Sequence, residues 1–255
     1  MYLIRPRSTV LLLIGLWGLL LGLAVTRTDA QPSWPNLDVL QNYPNPAGTT
    51  CGLDGSARPG SEKAATNGLK NRYELPTSSF QPVLVSDIIT LPSGTPNAPP
   101  TSADPNNQRA VTMVGFVREV KPGGTAGESC HCRAKGKTQV DAHIELVLDP
   151  NSNAPSGKGM VVVEVQERMR RLAAQGLLQS NIGQDWSTPM LRARLKGRWV
   201  KFSGWLFYDP DHHLEAWQVD RQNTLGRKNW RETEWEIHPV MAIESGVQPP
   251  PDAVR

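Results

Sequence analysis

Apolar and polar side chains alternate most clearly in five stretches beyond residue 108. Val111 to Val120, V-T-M-V-G-F-V-R-E-V, is the first, with Gly115 at its middle, where a sharply bent strand wants a glycine. Val140 to Asp149, V-D-A-H-I-E-L-V-L-D, follows, with Val140, Ala142, Ile144, Leu146 and Leu148 apolar on one side and Asp141, His143 and Glu145 on the other. Met160 to Gln166 is a third strand, Arg198 to Tyr208 with central Gly204 a fourth, and Thr233 to Glu244, T-E-W-E-I-H-P-V-M-A-I-E, a fifth. Between the third and fourth the period lengthens. Glu167 to Leu178 places Met169, Leu172 and Ala173 on one helical side and Arg168 and Arg171 on the other. A second short helix follows over Thr188 to Lys196, ended by Gly197.

Three strands, a helix and two strands, with glycines at the bends, is the order of an oligonucleotide/oligosaccharide-binding (OB) barrel. The fold class is therefore mainly β, a five-stranded OB-like barrel over residues 109–245 with a helix between strands three and four. A sandwich of similar strand count is the competing architecture.

The first 108 residues have a different texture. Arg5 and Arg7 precede the 16-residue apolar run Val10 to Val25 and the small residues around Ala30. This predicts a signal peptide over 1–30, with an uncleaved N-terminal anchor as the alternative. The protein is thus expected outside the cytoplasm, secreted or periplasmic, touching membrane only through that segment if uncleaved. Residues 31–108 form an extension rich in Pro, Ser and Asn. Ser61 caps an expected helix running to about Tyr73, with Leu69, Tyr73 and Leu75 packing and Lys70 and Arg72 solvated. Pro82 to Leu91 reads as a strand or docked extended segment, and 246–255 as a disordered tail.

A formal net charge of +3 is too small for this length to imply a polyanionic partner. Three cysteines in an oxidising compartment predict one disulfide and one free thiol. A bond between Cys130 and Cys132 would be strained, so Cys51 is expected to pair with Cys130 or Cys132. The Cys130-His131-Cys132 loop also has the composition of a soft-metal or redox site, although it lacks the two-residue spacing of zinc knuckles.

Two acid-histidine pairs carry the sharpest chemistry. Asp141 with His143, and Glu236 with His238, each share a strand face, and together they have the composition of a zinc or other divalent-metal site. Such a site can activate water for hydrolysis. The structural alternative is a polar outer face on which each carboxylate fixes a histidine tautomer. Pro239 beside His238 suggests an edge strand. Arg192, Arg194, Arg198, Trp199 and Lys201 interleave cations with an aromatic ring, the composition of a nucleic-acid surface. Trp217 and Trp230 fall in a polar connection and suit an exposed aromatic surface for a sugar or a protein partner.

D-x-H-I-E-L at Asp141 to Leu146, W-E-I-H-P-V ending at Val240, the Gly204 to Asp209 strand, N-G-L-K-N-R-Y at Asn67 to Tyr73 and the Cys-His-Cys loop resemble a set of uncharacterised bacterial extracytoplasmic proteins. The resemblance implies the barrel and transfers no chemistry. The leading expectation is an extracytoplasmic binding or interaction module of unknown ligand. A metal-dependent hydrolase and an extracytoplasmic nucleic-acid binder are the alternatives.

Overall fold

The computed structural model describes residues 50–253, apart from 125–126, 138, 153–156, 223 and 225–227, together with the strand residues 43–44. The expected signal peptide lies outside the described residues.

The five barrel strands are β1 (Ala110–Pro122), β2 (Ala142–Val147), β3 (Met160–Val165), β4 (Trp199–Tyr208) and β5 (Trp235–Ser245). β1, β2 and β3 form an antiparallel meander. β3 meets β5 in parallel at Val163 and Ile237, β5 runs antiparallel to β4, and β4 closes antiparallel onto β1. The closed order β1–β2–β3–β5–β4–β1 is that of the OB-like barrel, with helices α3 (Glu167–Ala174) and α4 (Thr188–Leu195) between strands three and four. Gly197, at φ 77°, ends the α4 connection in the left-handed region. The interior is filled by alternate residues, among them Ala142, Ile144 and Leu146 of β2, Val161, Val163 and Val165 of β3, and Trp235 and Ile237 of β5.

β5 is an interior strand, paired on both sides, so Pro239 does not mark an edge. It falls where the β4–β5 register shifts. A side chain at Gly204 would meet the Pro239 carbonyl oxygen at 2.2 Å, which is why this close crossing of β4 and β5 requires glycine.

The N-terminal extension covers the barrel. Its helix α1 (Glu62–Asn71) is capped as expected, Ser61 Oγ accepting from the Ala64 N–H at 3.2 Å. Lys70 and Arg72 are buried rather than solvated, whereas Leu75 is exposed. Arg72 donates to the carbonyls of Asn107 (2.7 Å) and Leu206 (3.0 Å), and its guanidinium lies 4.7 Å from the Trp205 ring centre. Pro82 to Leu91 is strand only at Gln81–Pro82, and then forms helix α2 (Val85–Ile89). Asp87 accepts from the Leu84 N–H at 2.9 Å, and Val85 and Ile88, three apart, turn inward. That local cap overrides the β-branched composition. Residues 246–253, expected to be disordered, return to the same helix, where Asp252 Oδ2 accepts from Ser86 Oγ at 2.9 Å.

Cys51 is bonded to Cys132, and Cys130 is a buried free thiol. The disulfide belongs in an oxidising compartment. Among the described residues no helix is long and apolar enough to cross a membrane.

Candidate functional site

The side chains of His143, Glu145, Glu164, Glu236 and His238 alternate with core residues on β2, β3 and β5 and point away from the barrel interior, yet they are buried. Phe207 of β4 packs its ring 5.6 Å from that of His238, and Trp230 lies 5.1 Å from His143. Lys70 of α1 sits 5.6 Å over Phe207. The outer wall of the barrel is therefore roofed by α1, the Cys130 loop and residues 209–217 and 229–234. Trp230 is half-buried and serves this roof, its Nε1–H donating to Glu215 Oε2 at 2.6 Å, so it is not an exposed aromatic surface. Trp217 is half-buried too, with Lys158 5.9 Å over its ring.

Beneath this roof the two acid-histidine pairs meet through a residue the sequence reading passed over. β2 and β5 are not neighbours, because β3 lies between them, and Glu164 of β3 connects the two histidines. Its Oε1 is 3.0 Å from His143 Nδ1 and its Oε2 is 3.1 Å from His238 Nδ1. Glu236 Oε1 takes the same His238 nitrogen at 3.0 Å, and its Oε2 accepts from Arg231 Nη2 at 2.6 Å. Asp141, just ahead of β2, accepts from His131 Nε2 through Oδ1 at 2.9 Å. The remaining atoms Asp141 Oδ2 and His238 Nε2 face each other at 3.6 Å. Both are buried without a hydrogen-bond partner, as is His143 Nε2.

Ligand atoms from Asp141, Glu164 and His238 lie within 4.8 Å of one another, close enough to share one ion. The four predicted residues therefore divide. Asp141 and His238 stand at the centre, Glu236 orients His238 from behind, and His143 shares Glu164 with it. A carboxylate on the far ring nitrogen is the outer-shell arrangement that fixes a ligating histidine. The signal for Glu164 was present as a lone acid in the otherwise apolar M-V-V-V-E-V run.

Electrostatics explain how so many charges coexist. Burial opposes the charged ring of His238, but its hydrogen bonds to Glu164 and Glu236 and the charge of Asp141 prevail, and it is pushed up to about 10. His131 is raised well above the usual imidazole value, Asp141 and Cys130 outweighing burial. Glu164 is held well below the carboxylate range against its burial by the hydrogen bonds from His143 and His238, and Asp141 is lowered against its burial by His131. Farther along, Arg231 reaches Asp209 at 3.5 Å, and Lys70 lies between Asp209 (3.5 Å) and Glu128 (3.2 Å). Among the described residues, the buried carboxylates Asp141, Glu164, Glu236 and Asp209 have only Lys70 and Arg231 as lysine or arginine partners within 4 Å. The two charges left over are matched by protons on histidines or by one divalent ion.

A second ligand set adjoins the first. Glu128, Cys130 and His131 bring an oxygen, a sulfur and a nitrogen within 4.8 Å of one another. Their loop is pinned by the Cys51–Cys132 bond and by Asn71, which donates to the Cys130 carbonyl at 3.0 Å.

The basic stretch lies elsewhere and is partly neutralised. Arg192 and Lys196 pair with Glu119, and Lys201 pairs with Glu244. Trp199 packs edge-on against Phe116 at 5.6 Å, while Arg194 and Arg198 line a shallow cleft with Asn181 and Ser245. Comparison with protein-family models, with curated proteins and with solved structures finds no match for this chain.

Proposed function

We propose that this chain is a secreted or periplasmic binding module whose ligand is a divalent metal ion held by Asp141, Glu164 and His238. One observation carries the reading: Asp141 Oδ2 and His238 Nε2, both buried, face each other at 3.6 Å with no hydrogen-bond partner. Buried polar atoms are almost always satisfied, and a facing pair of orphan ligand atoms is what an ion would satisfy. An imidazole nitrogen and carboxylate oxygens suit zinc and neighbouring first-row ions. The disulfide and the apolar run Val10 to Val25 support the compartment. Binding is favoured over hydrolysis because Asp141, Glu164 and His238 are all buried, with the Phe207 ring against His238 and that of Trp230 against His143.

The test is thermal unfolding of chelator-treated protein with added Zn2+, Mn2+ or Co2+. Binding to the folded state alone raises stability by about 2.7 kcal/mol at a hundredfold excess over Kd. Asp141→Asn keeps the side-chain shape and should weaken the best-bound ion at least tenfold. An unchanged Tm with all three ions would end the proposal.

A further inference from the structure

The two ligand sets are joined by a single carboxylate. Asp141 gives Oδ1 to His131, which belongs to the loop set, and turns Oδ2 toward His238, which belongs to the strand set. We propose that Asp141 bridges two ions, and that the second, held by Glu128, Cys130 and His131, is a thiophilic borderline-soft ion such as Zn2+. This inference rests on the metal reading of the first set and adds the chemical class of ion and a second position.

The spacing of the loop set fits the chemistry. Zinc bonds of about 2.0–2.3 Å at tetrahedral angles put neighbouring ligand atoms about 3.3–3.8 Å apart. Cys130 Sγ lies 3.4 Å from Glu128 Oε2 and 3.6 and 3.8 Å from His131 Nδ1 and Nε2, so the imidazole ring must turn to aim one nitrogen at an ion shared with the sulfur. The His131–Asp141 contact, at 2.9 Å, is a hydrogen bond that must open by about half an ångström when an ion replaces its proton. Cys130 and His131 are each 2 % exposed, so the thiol is withdrawn from bulk oxidants and from the disulfide partner already taken by Cys132. Two oxygens of one carboxylate, each directed at a different ligand set, is the arrangement of paired-metal sites with ions about 3.5–4 Å apart. On binding, the thiol proton and the histidine protons leave to solvent, and the sulfur becomes an anionic ligand.

The loop ion alone has a sulfur ligand, so Co2+ separates the two positions. Full-length protein freed of metal and titrated with Co2+ should take up two ions per chain and develop a thiolate-to-cobalt charge-transfer band. Cys130→Ser should bind one ion with no band. His238→Gln should bind one ion and keep the band. Asp141→Asn should weaken both at least tenfold. Glu128→Gln, which leaves the thiol and the disulfide untouched, should weaken only the ion that carries the band. Near-ultraviolet circular dichroism and an intact Cys51–Cys132 bond establish that each variant has folded. One ion with no band in the wild type leaves the strand site standing and overturns the second. A band lost in both Cys130→Ser and His238→Gln means one shared ion and also overturns it. No uptake at all would remove the metal reading itself.

Discussion

β2, β3 and β5 have two faces that obey opposite rules. Inward, Ile144, Leu146, Val161, Val163 and Ile237 fill the barrel with interchangeable apolar volume. Outward, His143, Glu164, Glu236 and His238 alternate with them on the same strands, and each has a specified partner. Burial on the inner face is stabilising by itself, at roughly 25 cal/mol per Å² of apolar surface. On the outer face burial is costly, and it is sustained only because charges are matched one against another. The inner face therefore tolerates substitution by size. The outer face tolerates almost none that changes charge.

The largest test of that contrast is the bond that ties the roof together. Cys51 and Cys132 are 81 residues apart, and closing that loop is worth about 4–5 kcal/mol in the chain-entropy model. Reduction should lower unfolding stability by that order. Amide exchange should rise first in α1 and in Ser129 to Asp141, with β1 and β4 still protected. Simultaneous loss of protection in roof and barrel would show that the two layers form one cooperative unit.

Next in size is a matched pair of variants, one from each face. Arg231 is fully buried and serves Glu236, Asp209 and the Thr233 carbonyl. Arg231→Ala leaves Glu236 with His238 alone and Asp209 with Lys70 and His212, and should cost about 3–5 kcal/mol. Leu146→Ala in the barrel should cost about 2–5 kcal/mol as transfer energy plus cavity. Their sizes overlap, but their pH dependence does not. The Arg231→Ala deficit should shrink below about pH 4, where carboxylates that have lost part of their counter-charge take up protons, while the Leu146→Ala deficit stays constant. Equal pH profiles in urea titrations would abolish the distinction between the faces.

The wild-type outer layer has a pH window of its own. His238, raised to about 10, contributes stability that is complete below its unfolded value near 6.5 and is lost as pH rises through about 10. Asp141 and Glu164, lowered, contribute stability present above about 4.5 and lost as pH falls through their folded values. Metal-free protein should therefore gain most from this layer between about pH 4.5 and 6.5. A bound ion should extend the upper limit, because it replaces the histidine proton.

The two faces were unequally legible in the sequence. The inner face repeats one signal five times, so the barrel and the succession of strands and helices along the chain could be read from alternation and glycine placement. The outer face depends on which strands become neighbours. Asp141 and His238 were recognisable as candidate ligands, but their link through Glu164 required β3 to lie between β2 and β5. Lys70 and Arg72 read as solvated because their partners, Asp209, Glu128, Asn107 and Leu206, are distant in sequence. Local pattern carries no information about such partners. For the same reason V-L-V-S-D-I-I-T read as a strand or docked extended segment from its apolar run, which does not show the cap that Asp87 makes.

The smallest effect concerns a carboxyl that has no match. Glu234, at the entry to β5, is fully buried, and both its oxygens lack a hydrogen-bond partner among the described residues. The nearest basic atom, His213 Nδ1 at 3.3 Å, is engaged by the Tyr208 hydroxyl. Burial pushes the Glu234 carboxyl up to about 7. The sign is opposite to that of Asp141. Between about pH 4.5 and 7 the folded chain holds a proton that the unfolded chain has lost, so this group makes stability fall as pH rises. Glu234→Gln removes the ionisation and keeps the shape. Its stability relative to wild type should climb across that window and level off above pH 7, with a gain of at most about 3 kcal/mol. A difference curve that is flat from pH 4.5 to 8 would mean that Glu234 ionises as an ordinary carboxyl, and the rule that every outer-face charge needs its partner would lose its clearest exception.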